Sequence, residues 1–238
     1  MTFALNPDLD QDQIASELAR NKRVQIPDFM IAPGADELLQ HLIDSTDWRH
    51  VMNAGDRVYE IGCNELEAMD EQQRVMLDRK IDAEAADGFQ FRFDTIRVPD
   101  CEDDRSAMAR TVADFASFLS SAAMVDWFRS VTRCKQIEFA DCQATRYRNG
   151  AFLTRHDDAV EGKQRYFAYV LNLTKDWRAE WGGLLFFPED KATRIDALVP
   201  DFNLLNLFEV GQQHGVTQVA SYAPHPRISV TGWLRSRN

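Results

Sequence analysis

The sequence predicts a mainly β fold, a jelly-roll or cupin-like barrel braced by helices from the N-terminal half. Three observations point there. Up to residue 134 the apolar residues recur mostly at helical spacing. After Lys135 the chain breaks into short alternating segments separated by Gly, Pro, Asn and Asp. The candidate metal ligands fall in two places far apart in sequence, the pair His156 and Asp158 and the later His214, and a barrel is an architecture in which distant strand ends converge at one mouth.

A length of 238 residues suits one domain over 1–238, with 1–134 as helix-rich support and 135–238 as the barrel core. Hydrophobic residues make up 45%, enough for a sizeable core. No apolar run approaches the roughly 20 residues of a membrane span. The opening M-T-F-A-L-N-P-D-L-D-Q-D-Q carries acids where a secretory signal would carry bases and an apolar stretch, so a cytoplasmic protein is expected. Cys63, Cys101, Cys134 and Cys142 lack zinc-type spacing and are expected to be reduced. The net charge of −11 argues against binding a nucleic-acid backbone. It permits attraction to a basic protein or peptide, and it also serves solubility.

Residues 9–20 read as an amphipathic helix, 24–29 as a strand and 35–45 as a second helix. Residues 57–61 form a strand. Residues 66–85 are charged, with apolar residues at helical spacing, and read as one helix stopped by Gly88. Residues 89–96 alternate as F-Q-F-R-F-D-T-I, the period of a strand. Helices follow over 104–120 and 124–132. Segments 135–148, 165–173, 183–187, 203–208, 214–220 and 227–235 are strand-like.

The chain has five histidines. An H-x-D pair alone is weak, but in a strand residues i and i+2 share a face, so His156 and Asp158 can chelate one ion while Asp157 points the other way or into a turn. His214, ahead of the alternating Val216 and Val219, is the expected second imidazole. His225 competes for that place but lies between two prolines, in a turn. Two neutral imidazoles and one carboxylate can occupy one face of octahedral Fe(II) and leave the other open for a co-substrate and O2.

If that co-substrate is 2-oxoglutarate, its distal carboxylate needs a buried partner. Arg offers a planar two-pronged fork. Arg227, Ser229, Thr231 and Trp233 share one face of the strand R-I-S-V-T-G-W, an unusual set for a plain barrel wall. Tyr147 can add a phenolic hydrogen bond to the same carboxylate.

In order along the chain stand Y-R-N-G-A-F-L-T-R-H-D-D, R-Y-F-A-Y-V-L-N-L-T-K-D-W, W-G-G-L-L-F-F, F-N-L-L-N-L-F, H-G-V-T-Q-V and P-R-I-S-V-T-G-W. Together they resemble the prolyl 4-hydroxylase-like branch of the Fe(II)/2-oxoglutarate oxygenases. The likeness is greatest to the catalytic domain of enzymes that hydroxylate a proline of a ribosomal protein. The HIF prolyl hydroxylases are more distant. The resemblance implies a double-stranded β-helix with Fe(II) on His156, Asp158 and His214. It implies 2-oxoglutarate on Arg227 with Tyr147 beside it, Trp233 on the inner wall, O2 as the second co-substrate and ascorbate as reductant. It also implies Arg165 at the substrate entrance, where a solvated strand-end charge is the other reading. In the Y-V-L-N-L segment relatives carry a Tyr that helps bind the oxo acid. This chain has Asn172, whose amide can donate to a carboxylate but is shorter, so weaker binding or a bridging water is expected. The ribosomal-protein enzymes carry a second barrel, for which this chain has no room.

W-G-G-L at 181–184 is expected to be a tight turn into a strand. One of Phe186 and Phe187 should fill the core, as should Phe152 and Leu153. The 57–64 segment could serve as a lid. The leading expectation is hydroxylation of a prolyl residue in a protein. The alternatives are the same iron chemistry on a free amino acid or other metabolite, and a silent barrel kept as a binding module.

Overall fold

Helix α1 (Gln11–Asn21) begins where the Asp10 carboxylate accepts the backbone N–H of Gln13. It ends at Lys22, whose left-handed φ of 61° turns the chain away. Ile14, Ala15 and Leu18, three and four apart, form its buried face. The computed structural model describes residues 3–101, 103–189 and 193–237. Strand β1 (Arg23–Ile26) stops short of the expected residue 29. Pro27 has no N–H for a ladder, and Asp28 takes a positive φ of 49°. Helix α2 (Ala32–Asp44) starts three residues earlier than expected, with Pro33 in its first turn, where no N–H is required.

A hairpin follows. Its first strand, β2 (Arg49–Ala54), is absent from the sequence reading, and its second, β3 (Arg57–Gly62), lies where a strand was expected. The helix expected over 66–85 is two helices, α3 (Cys63–Glu67) and α4 (Glu71–Asp87). Asp70 and Gln73 form a reciprocal capping box that starts a new helix mid-segment. Helix α4 buries only Ile81 and stops at Gly88. Strand β4 (Phe91–Arg97) comes next. The helix expected over 104–120 is a single 3-10 turn at Asp103–Ala107 followed by α5 (Arg110–Leu119). The Arg105 side chain closes that turn by donating to the carbonyls of Pro99 and Asp100 and to Ser117 Oγ. Helix α6 (Ala122–Thr132) is capped by Ser121.

Beyond residue 135 lie β5 (Phe139–Ala140), β6 (Gln143–Tyr147), β7 (Phe152–His156), β8 (Arg165–Asn172), β9 (Leu185–Pro188), β10 (Ile195–Leu198), β11 (Leu204–Glu209), β12 (His214–Val216) and β13 (Arg227–Arg235). Strands β7 and β10 fall outside the expected segments. The hydrogen-bonded order is β1-β11-β8-β13-β6-β4-β7-β12-β9-β10, with β2 added beside β4, β3 beside β2, and β5 beside β13. Strand β4 turns the corner. Its residues 94–97 pair with β6, while Phe91 and Arg92 pair with β7. The sheet therefore curls into two facing layers, the expected double-stranded β-helix.

Alternation on β13 sorts the two faces. Ile228, Val230 and Leu234 join the main core with Phe115, Phe128, Leu38 and Leu171, so the N-terminal helices back the larger layer. Arg227, Ser229, Thr231 and Trp233 line the barrel interior as expected. At the corner Asp94 is 0% exposed. Its carboxylate accepts from His50 Nδ1 at 2.8 Å, Arg146 Nε at 2.9 Å and Arg148 Nη2 at 3.0 Å, joining β2, β4 and β6. Gly182 and Gly183 take φ of 69° and 63° in the turn before β9, as expected. A Cβ on Gly182 would stand 2.0 Å from the Gln218 carbonyl oxygen. Phe187 and Phe152 are buried; Leu153 is partly buried and lines the interior cavity instead of filling core.

Candidate metal centre and co-substrate pocket

His156 ends β7 and His214 opens β12. The two are direct partners across the antiparallel ladder, with ring centroids 4.2 Å apart. Asp158 joins them by a route other than strand alternation. The strand stops at His156, and Asp158 sits two residues on in a left-handed turn, φ 61°. A non-glycine residue is uncommon there. The turn swings the carboxylate back, so Oδ1 lies 3.2 Å from His156 Nε2 and Oδ2 lies 3.2 Å from His214 Nε2.

The far side of each imidazole fixes its tautomer. His156 Nδ1 lies 3.1 Å from the Thr154 carbonyl oxygen, and His214 Nδ1 lies 2.9 Å from that of Gln212. A carbonyl only accepts, so Nδ1 carries the proton, and in the neutral ring Nε2 presents its lone pair inward. Two such lone pairs face a carboxylate across 3.2 Å, an arrangement that requires a cation between them. The donor set, two imidazole nitrogens and one carboxylate with an open side, fits Fe(II). Among the described residues these three form the one cluster of His, Cys, Asp and Glu able to hold a metal ion. Phe187 and Phe208 pack against His214, with ring centroids 5.9 and 4.7 Å away. His225 is exposed beside Trp177 and Trp181 and takes no part.

A cavity of about 380 Å³ runs from this cluster into the barrel. At its inner end Arg227 is 1% exposed, and its Nε and Nη1 have no hydrogen-bond partner. It makes no ion pair with any described residue, and burial pushes its pKa down to about 10. A buried, uncompensated cation with free donors facing a cavity calls for an anion. The carboxylate of an oxo acid supplies one. Tyr147, cross-strand from Arg227, stacks on Phe93 with centroids 5.1 Å apart and places its ring 5.3 Å from the Arg227 guanidinium. Burial, with the Asp158 charge adding, pushes its phenol up despite Arg227, so it stays a neutral donor. Ser229 shares a 2.9 Å hydrogen bond with Thr145, a residue absent from the sequence reading.

Asn172 is placed differently from expectation. Its Nδ2 donates to the Leu204 carbonyl at 3.1 Å and its Oδ1 accepts from Arg227 Nη2 at 3.2 Å. It does not line the cavity. Its amide is committed at both ends within the wall, so it is not positioned to reach a carboxylate in the cavity.

Arg165 lies flat on Trp233, with its guanidinium carbon 3.5 Å from the ring centroid, and donates to the Asp158 carbonyl at 3.4 Å. Across the mouth, Phe89, Phe91, Phe93 and Tyr147 form a chain of ring contacts 5.1–5.8 Å apart that ends against His156. Phe89 is 50% exposed, and Val160 on the rim is 46% exposed. The F-Q-F-R-F alternation carried this signal in the sequence, where it was read only as a strand.

Residues 142–235 match the 2OG-Fe(II) oxygenase superfamily. The prolyl 3-hydroxylase OGFOD1 of Xenopus laevis is 32% identical over 115 residues, covering 45% of this chain and 22% of that protein. The chain thus spans about a fifth of the length of the curated relatives it matches. A prolyl-4-hydroxylase from Pseudomonas putida superposes with a TM-score of 0.60 at 18% identity, over 96% of this chain and 100% of that one. A prolyl hydroxylase from Trichoplax adhaerens, solved with a hypoxia inducible factor peptide, gives 0.60 at 16% identity, over 95% and 89%. These superpositions show the shared fold.

Proposed function

We propose that this chain, which carries a 2OG-Fe(II) oxygenase domain over residues 142–235, hydroxylates a prolyl residue within a protein or peptide. The observation that carries the reading is one cavity with the His156–Asp158–His214 cluster along it and the unpaired Arg227 at its inner end. Bound Fe(II) with 2-oxoglutarate and O2 supplies the oxidation, in which the oxo acid becomes succinate and CO2 and one oxygen atom enters a C–H bond of the substrate.

The chain's own residues do the rest. His156, Asp158 and His214 hold the metal. Arg227 takes the distal carboxylate of the oxo acid, with the Tyr147 phenol as a second donor, and this sets the oxo acid's reach toward the metal. Phe91, Phe93 and Trp233 keep water from the cavity. Arg165, backed by Trp233, offers its guanidinium at the mouth to a backbone carbonyl of the substrate. The exposed Phe89 and Val160 at the edge of the cavity support a peptide over a small metabolite, since they extend apolar surface beyond it. The acidic surplus supports a basic peptide. We take residues 1–238 as one domain with ascorbate as reductant. The free cysteines support a reducing, cytoplasmic setting. No helix among the described residues is long and apolar enough to cross a membrane.

The test incubates the Fe(II) protein, 2-oxoglutarate and a library of single-proline peptides with varied flanks, read by mass spectrometry. Gain of one oxygen on proline, absent with Asp158→Ala, is the expected result. Oxidation of free amino acids without any peptide product would overturn the choice of substrate.

A further inference from the structure

Resting on the oxygenase reading of the cavity, we infer that Asn172 is a positioning residue that determines how strongly Arg227 selects a 2-oxo acid with a distal carboxylate. Three adjacent strands carry one row of short polar side chains, Thr145 on β6, Ser229 on β13 and Asn172 on β8. The next row toward the start of β13 holds Tyr147 and Arg227. Within the first row Thr145 and Ser229 hydrogen-bond to each other. Asn172 reaches out of its row to Arg227.

The Asn172 amide cannot turn over without loss. Its Nδ2 is held by the Leu204 carbonyl, so Oδ1 is the end that faces Arg227 Nη2. A neutral oxygen there ties down one guanidinium nitrogen and leaves the full positive charge uncompensated. Nε and Nη1 keep their donors for a ligand. A longer side chain at this position would enter the cavity, and an ionised one would neutralise Arg227 before any ligand arrived. An amide does neither: it fixes the fork and preserves its charge.

The experiment compares two oxo acids that share the metal-chelating end, 2-oxoglutarate and 2-oxobutyrate, which lacks the distal carboxylate. Each is titrated calorimetrically into the Mn(II)-loaded protein, so that no turnover intervenes. The wild-type chain is expected to prefer 2-oxoglutarate strongly. In Asn172→Asp the preference should shrink by about a hundredfold, because the new carboxylate occupies Arg227, and in Asn172→Ala by about tenfold, because the fork loses its anchor. Binding of 2-oxobutyrate should change little in either variant, which a general loss of folding would not allow. An unchanged preference in both variants overturns the inference and leaves the oxygenase reading intact. A wild-type protein that binds neither oxo acid overturns both.

Discussion

His156 and His214 stand opposite each other in the β7–β12 ladder, and each ring is locked from behind by a backbone carbonyl two residues earlier in its own chain segment. The imidazoles are therefore oriented by main chain before any metal arrives, and Asp158 completes the set from a left-handed turn. Replacing Asp158 by Ala should lower divalent-metal affinity by at least about a hundredfold, as expected for loss of a charged ligand. Circular dichroism should stay unchanged. Titration with Mn(II) followed by electron paramagnetic resonance checks this.

Arg227 predicts opposite signs for stability and binding. It is a buried cation that makes no ion pair with any described residue, so Arg227→Met should raise the ligand-free stability by about 1–2 kcal/mol, since an apolar side chain of similar length needs no counter-ion. The same change should remove the stabilisation by 2-oxoglutarate, which at a hundred times Kd amounts to about 2.7 kcal/mol in the wild type. Thermal melts with and without the oxo acid and Mn(II) report both quantities.

Phe89 sits half exposed beside His156, at the outer end of the aromatic chain. In Phe89→Ala, KM for a peptide substrate should rise about five- to tenfold while KM for 2-oxoglutarate stays within twofold, since one stacked ring contributes about 1 kcal/mol or slightly more. Phe89→Tyr should restore it. Equal shifts in both constants would place Phe89 in the cavity's structure instead of at the substrate surface.

The Asp94 cluster sets an acid limit on stability. Burial disfavours its ionisation, but the hydrogen bond from His50 and the charges of Arg148 and Arg146 prevail and hold its pKa below the usual value. A carboxyl with a depressed folded pKa contributes stability that is complete above its unfolded value of about 3.9 and is lost as pH falls through the lower folded value. Asp94→Asn should destabilise the protein at neutral pH by roughly 3 kcal/mol. That is the low end for breaking a buried pair, because the Arg148 side chain is still 35% exposed. The variant should also lose the part of the acid transition below pH ~4 that this group supplies. Urea unfolding across pH 3 to 8 measures both.

Much of this site could be read from residue order. H-x-D, the later His and the R-I-S-V-T-G-W strand mark ligands and pocket wall because a two-residue period puts Arg227, Ser229, Thr231 and Trp233 on one face whatever the barrel's details. What sequence could not supply was the third dimension. The His156–His214 register depends on which strands neighbour each other, and Asp158 arrives through a backbone turn that no alternation describes. Asn172 shares the interior-facing alternation of β8 with Ala168 and Val170, and the family resemblance set it among the co-substrate contacts. Only the Leu204 carbonyl, 32 residues away, shows that its amide is spent in the wall. The 66–85 helix divides for a local reason. The Asp70–Gln73 capping box competes with helical continuation, a contest that apolar spacing does not register.

The first measurement is anaerobic addition of 2-oxoglutarate to the Fe(II)-loaded protein while the visible spectrum is recorded. Chelation of iron by the oxo acid should produce a charge-transfer band in the wild type that Asp158→Ala lacks and that Arg227→Met shows only at much higher oxo-acid concentration. No band in the wild type at saturating iron and 2-oxoglutarate would contradict assignment of this cavity as an iron and 2-oxoglutarate site.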